Sequence, residues 1–178
     1  RVLPTEIKTD KGIFKTPVEL ISITDFDGNS YKYQTTKISD TVTWKIGDAN
    51  KLVRGVNYYK IVYKVKNAVR FINSDFDELY WNLLGTFWQI DIDNFSANLF
   101  FSAEITKNNT QIDYYTGTFG SKDKSLARYN WSRQNSIFFE STQSIKAGEG
   151  ITVSATFPKG IFTPYEPSFQ EKYGDYFL

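Results

Sequence analysis

The sequence contains no histidine, no cysteine and no methionine among its 178 residues. Without histidine, the chain lacks the commonest general base and the commonest zinc ligand of proteins. Without cysteine, it has no thiol nucleophile, no iron–sulfur ligand and no disulfide, so cysteine usage says nothing about the redox state of its compartment. These absences exclude thiol catalysis and the usual zinc centres, and they leave carboxylates as the candidate acids and bases.

The chain also lacks a long apolar segment and a strong net charge. No stretch approaches the roughly 18 apolar residues of a membrane-spanning helix. The N-terminal residues Arg1-Val2-Leu3-Pro4 do not contain a signal-peptide core. The 21 basic and 20 acidic residues give a net charge of +1, which is too small a charge to attract nucleic acid or anionic lipid. We therefore expect neither as a partner.

Aromatic residues are abundant, at 17% of the chain. Phe, Tyr and Trp are favoured in strands and bury large areas. Apolar and polar residues alternate with a period of two in four segments, which predicts antiparallel strands with one buried and one solvated face. These segments are residues 57–65, 86–92, 97–105 and 151–157. The pattern predicts an all-β fold, an antiparallel β-sandwich of the immunoglobulin-like or jelly-roll-like kind, with a barrel as the alternative.

Turn sequences separate the predicted strands and suggest the limits of the domain. Asp27-Gly28-Asn29 predicts a hairpin between residues 18–26 and 30–38. The first half of residues 117–133 has little alternation and predicts a long exposed loop. One domain is expected at this chain length. We assign it to residues 1–162, and we interpret residues 163–178 as a linker or edge segment that leads towards a membrane anchor.

The run Asp77-Glu78-Leu79-Tyr80-Trp81-Asn82, followed by Gly85 and Trp88, is the most informative motif. On an extended strand its odd-numbered residues share one face and its even-numbered residues share the other. Asp and Asn at strand ends commonly accept hydrogen bonds from the backbone, and a buried carboxylate requires such partners. The run therefore predicts a buried, hydrogen-bonded strand end, unless its acids reach solvent and form a site.

Five acidic residues are candidate metal ligands: Asp75, Asp77, Glu78, Asp91 and Asp93. Pairing of the segment that holds the first three with the segment that holds the last two would bring several carboxylates together. Oxygen ligands suit Ca²⁺, although the spacing lacks the glycine and the closing glutamate of an EF-hand loop. Two of these carboxylates could instead serve as the acid and the nucleophile or base of a glycosidase. Calcium is the only cofactor that the sequence suggests.

Three residues are candidates for ligand binding: Trp81, Asn82 and Trp131. Trp131 lies in a polar stretch, which favours its exposure, and an exposed tryptophan offers a surface on which a sugar ring can stack. Trp44 and Trp88 alternate in register with aliphatic residues, so we expect both in the core.

Motifs spread over residues 12–161 occur in a characteristic order. Together with the run at residues 77–82, they resemble the N-terminal domain of a family of predicted bacterial membrane proteins, the domain of unknown function family 2207. The remaining matches, in chain order, are Gly12-Ile13-Phe14-Lys15 with Pro17, Tyr58–Val65, Gly117–Ser121, Gly148–Val153 and Phe157–Gly160.

The resemblance implies an extracytoplasmic N-terminal domain with transmembrane helices downstream of this chain. The family has no assigned catalytic residues, so none is transferred. Two positions depart from its pattern. Asp113-Tyr114-Tyr115 stands where many relatives have a cysteine, and Lys15 stands where relatives usually have arginine. A redox or metal role for that cysteine is therefore excluded here.

These observations lead to one main hypothesis and several alternatives. We expect a non-catalytic binding or scaffolding domain on the extracytoplasmic face of a bacterial membrane. Its expected partner is a cell-envelope glycan or another membrane or envelope protein. The alternatives are a carboxylate-based module that binds calcium or glycan, a glycoside hydrolase, and a spacer that only positions the membrane part.

Overall fold

The computed structural model describes residues 2–9, 12–71 and 73–164. Within these residues all regular structure is β, in 14 strands without a helix, and all the strand pairs are antiparallel. The all-β prediction is confirmed. The strands are β1 Val2–Pro4, β2 Glu6–Thr9, β3 Gly12–Lys15, β4 Val18–Thr24, β5 Tyr33–Ile38, β6 Thr41–Ile46, β7 Lys60–Val65, β8 Val69–Arg70, β9 Phe76–Leu84, β10 Ser96–Phe100, β11 Gln111–Gly117, β12 Ala127–Arg133, β13 Ser136–Ser141 and β14 Gly150–Pro158.

The strands form five sheets in the described part of the chain. The largest has the order β11-β14-β9-β8, and a three-stranded sheet has the order β10-β13-β12. A second three-stranded sheet has the order β1-β6-β5, and β2-β3 and β4-β7 are two-stranded ribbons. Of the predicted linker at 163–178, residues 165–178 lie outside the described residues.

The two sheets of the C-terminal half pack face to face in a sandwich-like arrangement. Ile137 and Phe139 of β13 meet Val153 of β14, and all three are 0% exposed. The strand β14 lies between β9 and β11, so it is covered by neighbours along both edges. The predicted strand at 151–157 is therefore confirmed, with its apolar residues in the core.

A separate core cluster lies in the N-terminal half. It is formed by Leu3 of β1, Ile23 of β4, and Val42 and Trp44 of β6, so the prediction of Trp44 as a core residue is confirmed. The side chain of Trp81 packs against this cluster and also against the sandwich core of the C-terminal half. Because apolar burial is the main force that joins packed layers, Trp81 connects the two halves of the protein.

The predicted hairpin between residues 18–26 and 30–38 is wrong, although its turn forms. Gly28 has a positive φ of 90°, and a single bridge joins Thr24 to Ser30. Beyond that bridge, β4 pairs with β7 and β5 pairs with β6. The long-range pairing is favoured because it brings Ile23 opposite Ile61, next to the N-terminal core.

The predicted strand at 86–92 is also wrong, and so is the prediction of Trp88 as a core residue. This segment is a loop in which Trp88 is 38% exposed and only Ile92 forms a bridge. The strand β9 ends at Leu84, where Gly150 of β14 approaches so closely that a Cβ on it would lie 2.5 Å from the carbonyl oxygen of Leu84. The chain departs from the sheet at this point.

Two further predicted strands are shorter than expected. The strand in 57–65 begins at Lys60, and the one in 97–105 ends at Phe100. The loop predicted for the first half of 117–133 is confirmed, and its second half is β12. The alternation therefore located these strands but not their ends, because side chains of loops also pack against the core, as Ile105 does at 1% exposure.

Candidate functional site

The run 77–82 lies inside β9, between β14 and β8. Cross-strand neighbours share a face of a sheet. The register pairs Asp77 with Phe157 and Trp81 with Val153, and these partners are buried in the core. The predicted division of the run into two faces is thus confirmed. We call the face with Asp77, Leu79 and Trp81 the inner face, and the face with Glu78, Tyr80 and Asn82 the outer face.

On the inner face, Asp77 is enclosed by the protein. Its side chain is 1% exposed, and Nζ of Lys159 donates a hydrogen bond to its Oδ1 at 2.7 Å. The other carboxylate oxygen, Oδ2, is buried and has no hydrogen-bond partner among the described residues. Nζ of Lys159 also lies 5.4 Å from the ring centre of Phe71. This carboxylate fixes the segment after β14 to the start of β9, and it has no open path to a substrate.

On the outer face, Glu78 is held by two neighbouring strands. The hydroxyl of Ser154 donates to its Oε1 at 2.6 Å, and Nη1 of Arg70 lies 3.7 Å from its Oε2. The guanidinium of Arg70 also lies over the ring of Tyr80, 4.5 Å from its centre, in a cation–π contact. Nε of Arg70 is buried and donates no hydrogen bond to any residue in the described part of the chain. Arg70 and Glu78 are therefore both oriented by the sheet.

Asp113 of β11 lies on the same outer face, and neighbouring side chains hold it as well. Lys124 forms an ion pair with it, and the hydroxyl of Tyr115 donates to its Oδ2 at 3.0 Å. The hydrogen bond from Lys124 is the main reason why the pKa of Asp113 is lowered. The hydrogen bond to Asp113 is in turn the main reason why the pKa of the Tyr115 hydroxyl is raised. Asp113 therefore stays ionised and does not act as a proton donor at neutral pH.

The structure does not bring the five candidate acids together. β9 pairs with β14 and β8, and not with the segment that carries Asp91 and Asp93. Asp91 accepts hydrogen bonds from Nζ of Lys146 at 2.8 Å and from the backbone of Ala147 at 3.0 Å. Asp75 accepts one from the hydroxyl of Ser74 at 3.1 Å. In residues 2–9, 12–71 and 73–164, no group of three or more Asp, Glu, His or Cys residues is arranged to hold a metal ion.

A cleft of about 190 Å³ lies beside β9, with further lining residues from β1 and β2. Two predicted ligand-binding residues, Trp81 and Asn82, line it, together with Arg70, Tyr80 and Phe87. A neighbouring cavity of about 110 Å³ shares Phe87 and adds Trp88. We call the larger cavity the Trp81 cleft. Trp131 lies away from it, half-buried with its ring centre 6.2 Å from that of Phe101.

Comparison with known protein families gives one match. The model of the DUF2207 N-terminal domain, described as a predicted membrane protein, matches residues 4–157. The chain belongs to the DUF2207 family. No curated protein and no solved structure matches it. In the described part of this DUF2207 domain, no helix is long and apolar enough to cross a membrane.

Two residues of the Trp81 cleft in this DUF2207 domain were missed by sequence reasoning. Arg70 lies on β8, which has two residues and so shows no alternation. It reaches the cleft because it pairs with Glu78 across the sheet. Phe87 was assigned to a predicted strand, and in the structure it belongs to an exposed loop. A run of aromatic residues next to Gly85 was the only available signal for Phe87.

The ion pair between Lys146 and Asp91 gives the stability of this DUF2207 domain a predictable dependence on pH. The hydrogen bond from Lys146, followed by that from the backbone of Ala147, lowers the pKa of Asp91. A lowered folded-state pKa stabilises the protein above the unfolded-state value of about 3.9, and this stabilisation is lost as the pH falls through the folded-state pKa. Lys146→Met is therefore expected to lower stability at pH 7, with a difference from wild type that disappears in acid.

Urea denaturation at a series of pH values measures this difference. Lys122→Met is the matched control, because Lys122 is exposed and forms no ion pair within the described residues. It should follow the wild-type curve at every pH. A stability difference for Lys146→Met that is the same at pH 7 and in acid would show that the ion pair is not its cause.

Proposed function

We propose that this DUF2207 domain is a non-catalytic binding domain on the extracytoplasmic side of a bacterial membrane, and that its Trp81 cleft binds a cell-envelope glycan. The observation that carries the proposal is the cleft itself. It combines three aromatic side chains, Tyr80, Trp81 and Phe87, with the polar side chains of Arg70 and Asn82. Binding sites for small ligands typically combine apolar walls with a few oriented polar groups.

The chemistry of these residues suits a sugar. The C–H face of a sugar ring is apolar and packs on an aromatic ring, while its hydroxyl groups exchange hydrogen bonds with polar side chains. Arg70 is suited to donate such bonds, because Glu78 and the ring of Tyr80 already fix its orientation. An oriented side chain loses less conformational entropy when a ligand binds.

The size of the cleft limits the ligand. Its volume of about 190 Å³ is smaller than the roughly 300–1,000 Å³ that encloses a drug-sized molecule. It therefore accommodates one sugar unit or the end of a chain. The adjoining cavity beside Trp88 extends the site along the loop that follows β9. A glycan polymer would lie along both.

The ion pairs and hydrogen bonds that the carboxylates of β9 already form support a binding role over hydrolysis. A glycosidase needs two carboxyl groups roughly 5–9.5 Å apart on either side of an accessible bond. Asp77 and Glu78 project from opposite faces of β9, and Asp77 is enclosed with Lys159. Glu78 is bonded to Ser154 and lies near Arg70. Among the described residues that line the cleft, Glu6 of β2 is the one carboxylate, and neither Asp77 nor Glu78 lines it.

Isothermal titration calorimetry with soluble peptidoglycan fragments tests the proposal. We expect saturable binding that Phe87→Ala weakens roughly tenfold, which corresponds to about 1.4 kcal/mol. Phe87 is 65% exposed, so its truncation should leave the fold intact. The matched control is Phe119→Ala, because Phe119 is exposed in the loop after β11 and does not line the Trp81 cleft.

Two outcomes of this experiment would contradict the proposal. One is the absence of heat with peptidoglycan fragments and with other soluble envelope glycans at millimolar concentration. The other is binding that Phe87→Ala and Phe119→Ala weaken equally. A parallel titration with Ca²⁺ tests the calcium alternative. A site made of a few carboxylates at the surface would bind Ca²⁺ at millimolar concentration and would release or take up heat as it does so.

A further inference from the structure

The loop between β6 and β7 exposes apolar side chains that no other described residue covers. All ten residues from Lys51 to Lys60 are exposed. Among them, Leu52 is 88% exposed, Val56 is 80% exposed and Val53 is 57% exposed. Single exposed apolar residues are common on protein surfaces, but a group of them marks an interaction site. We call residues 51–60 the Leu52 loop.

Aromatic side chains extend this apolar surface and give it a defined structure. The ring of Phe26, in the turn after β4, meets the ring of Tyr58 edge to face, with 5.2 Å between their centres. The hydroxyl of Tyr31 donates a hydrogen bond to the carbonyl oxygen of Tyr58 at 2.8 Å, and its ring lies 4.8 Å from that of Tyr59. The turn and the Leu52 loop therefore form one surface at one end of the β4–β7 ribbon.

Basic residues surround the apolar side chains. The Leu52 loop contains Lys51, Arg54 and Lys60, and none of them forms an ion pair within 4 Å in the described residues. Between Asp48 and Asp75 the sequence has six basic residues and no acidic one.

The acidic residues beside the loop offset only part of this charge. Asp25 and Asp27 flank Phe26 in the adjoining turn, and Asp25 is bonded to the backbone and side chain of Asn29. Asp48, which precedes the loop, is paired with Lys32. The Leu52 loop itself is therefore cationic as well as apolar.

We propose that the Leu52 loop binds the surface of a bilayer that contains anionic phospholipid. In this arrangement Leu52, Val53 and Val56 enter the boundary between headgroups and acyl chains, and Tyr58 and Tyr59 lie at headgroup level, where tyrosine is enriched. Lys51, Arg54 and Lys60 contact lipid phosphates, which attract basic residues near the membrane surface. Membership of a family of predicted membrane proteins supports a lipid surface over a soluble partner.

This proposal revises an expectation drawn from the net charge. A net charge of +1 is a sum over the whole chain, and it does not show that the basic residues are concentrated in one exposed loop. Charges interact with a surface over about a Debye length, roughly 8 Å at physiological salt. The attraction to a lipid surface therefore depends on the charged residues close to it and not on the net charge of the chain. The Leu52 loop is separate from the Trp81 cleft, and the proposal does not depend on glycan binding.

Flotation with unilamellar vesicles tests the proposal on the purified chain. We expect binding to vesicles of phosphatidylcholine with phosphatidylglycerol and little binding to phosphatidylcholine alone. Reversal of two charges, with Lys51→Glu and Arg54→Glu, should weaken binding roughly tenfold or more. Replacement of the three aliphatic residues by serine should weaken it by a similar factor. The matched control is Phe119→Ser with Lys122→Glu, because these residues also lie in an exposed loop; it should bind like wild type.

A labelling experiment gives a second measurement that does not require a disruptive variant. The chain has no cysteine, so Leu52→Cys carries a single environment-sensitive fluorophore. Its emission should shift to the blue with vesicles that contain phosphatidylglycerol, whereas the same label at Phe119→Cys should not respond. The proposal is overturned if wild type does not float with anionic vesicles, or if both labels respond equally. It is also overturned if the control variant loses as much binding as the loop variants.

Discussion

Lys159→Met is expected to lower the free energy of unfolding by about 3–5 kcal/mol, because it leaves a buried carboxylate without its cation. That carboxylate belongs to Asp77, which is 1% exposed and whose Oδ2 already has no hydrogen-bond partner in the part of the chain that the structure describes. Methionine keeps the length and the apolar stem of lysine, so the loss reports the missing charge and hydrogen bond. Urea denaturation at pH 7 measures it.

Substitutions of the two partners of this ion pair are expected to lower stability by different amounts. Asp77→Leu should lower the free energy of unfolding less than Lys159→Met does. It leaves only the lysine unpaired, and the lysine side chain is 32% exposed, so its amine can reach water. The double variant Asp77→Leu with Lys159→Met should recover most of the loss, since an apolar pair of similar volume replaces a buried ion pair at little cost. Equal losses for the two single variants, or a double variant that shows their sum, would refute this account of the pair.

Phe139→Ala is expected to lower the free energy of unfolding by about 3–5 kcal/mol, through lost apolar burial and the cavity that remains. Phe139 is 0% exposed in the core between the two sheets of the C-terminal half. Its ring stacks on Tyr129 with 5.3 Å between centres and meets Tyr114 edge to face at 5.8 Å. Thermal and urea unfolding both measure the loss.

Phe119→Ala makes the same chemical change at a residue that is 96% exposed. It should change the free energy of unfolding by less than about 0.5 kcal/mol, as surface substitutions generally do. The contrast isolates the contribution of burial from that of the residue type. If the two variants lost similar stability, the packing of β13 against β14 would not be the main source of stability in this half.

The predictions that the structure confirms rest on residues close together in sequence. The alternation at 151–157 identified β14, and the alternation within 77–82 identified the two faces of β9. Both are consequences of the extended backbone, in which successive side chains point to opposite faces. Knowledge of the strand partners was not needed for either.

The incorrect predictions required knowledge of strand partners. The turn at Asp27-Gly28-Asn29 forms, yet β4 pairs with β7 because that register brings Ile23 to the N-terminal core. The segment 86–92 alternates like a strand, yet the close approach of Gly150 to Leu84 marks the end of β9. Local alternation shows that a segment is able to form a strand, whereas pairing and burial decide whether it does.

The sequence by itself determined the fold class, the two faces of the central run and the family. Each of these depends on local periodicity or on motifs in a fixed order. Only the tertiary structure decided that Asp77 and Glu78 have separate partners, that Arg70 and Phe87 join Trp81 in one cleft, and that the aromatic turn after β4 packs on the Leu52 loop. The physical reason is that a site joins side chains from distant segments, and their meeting depends on strand pairing and core packing that no short stretch of sequence contains.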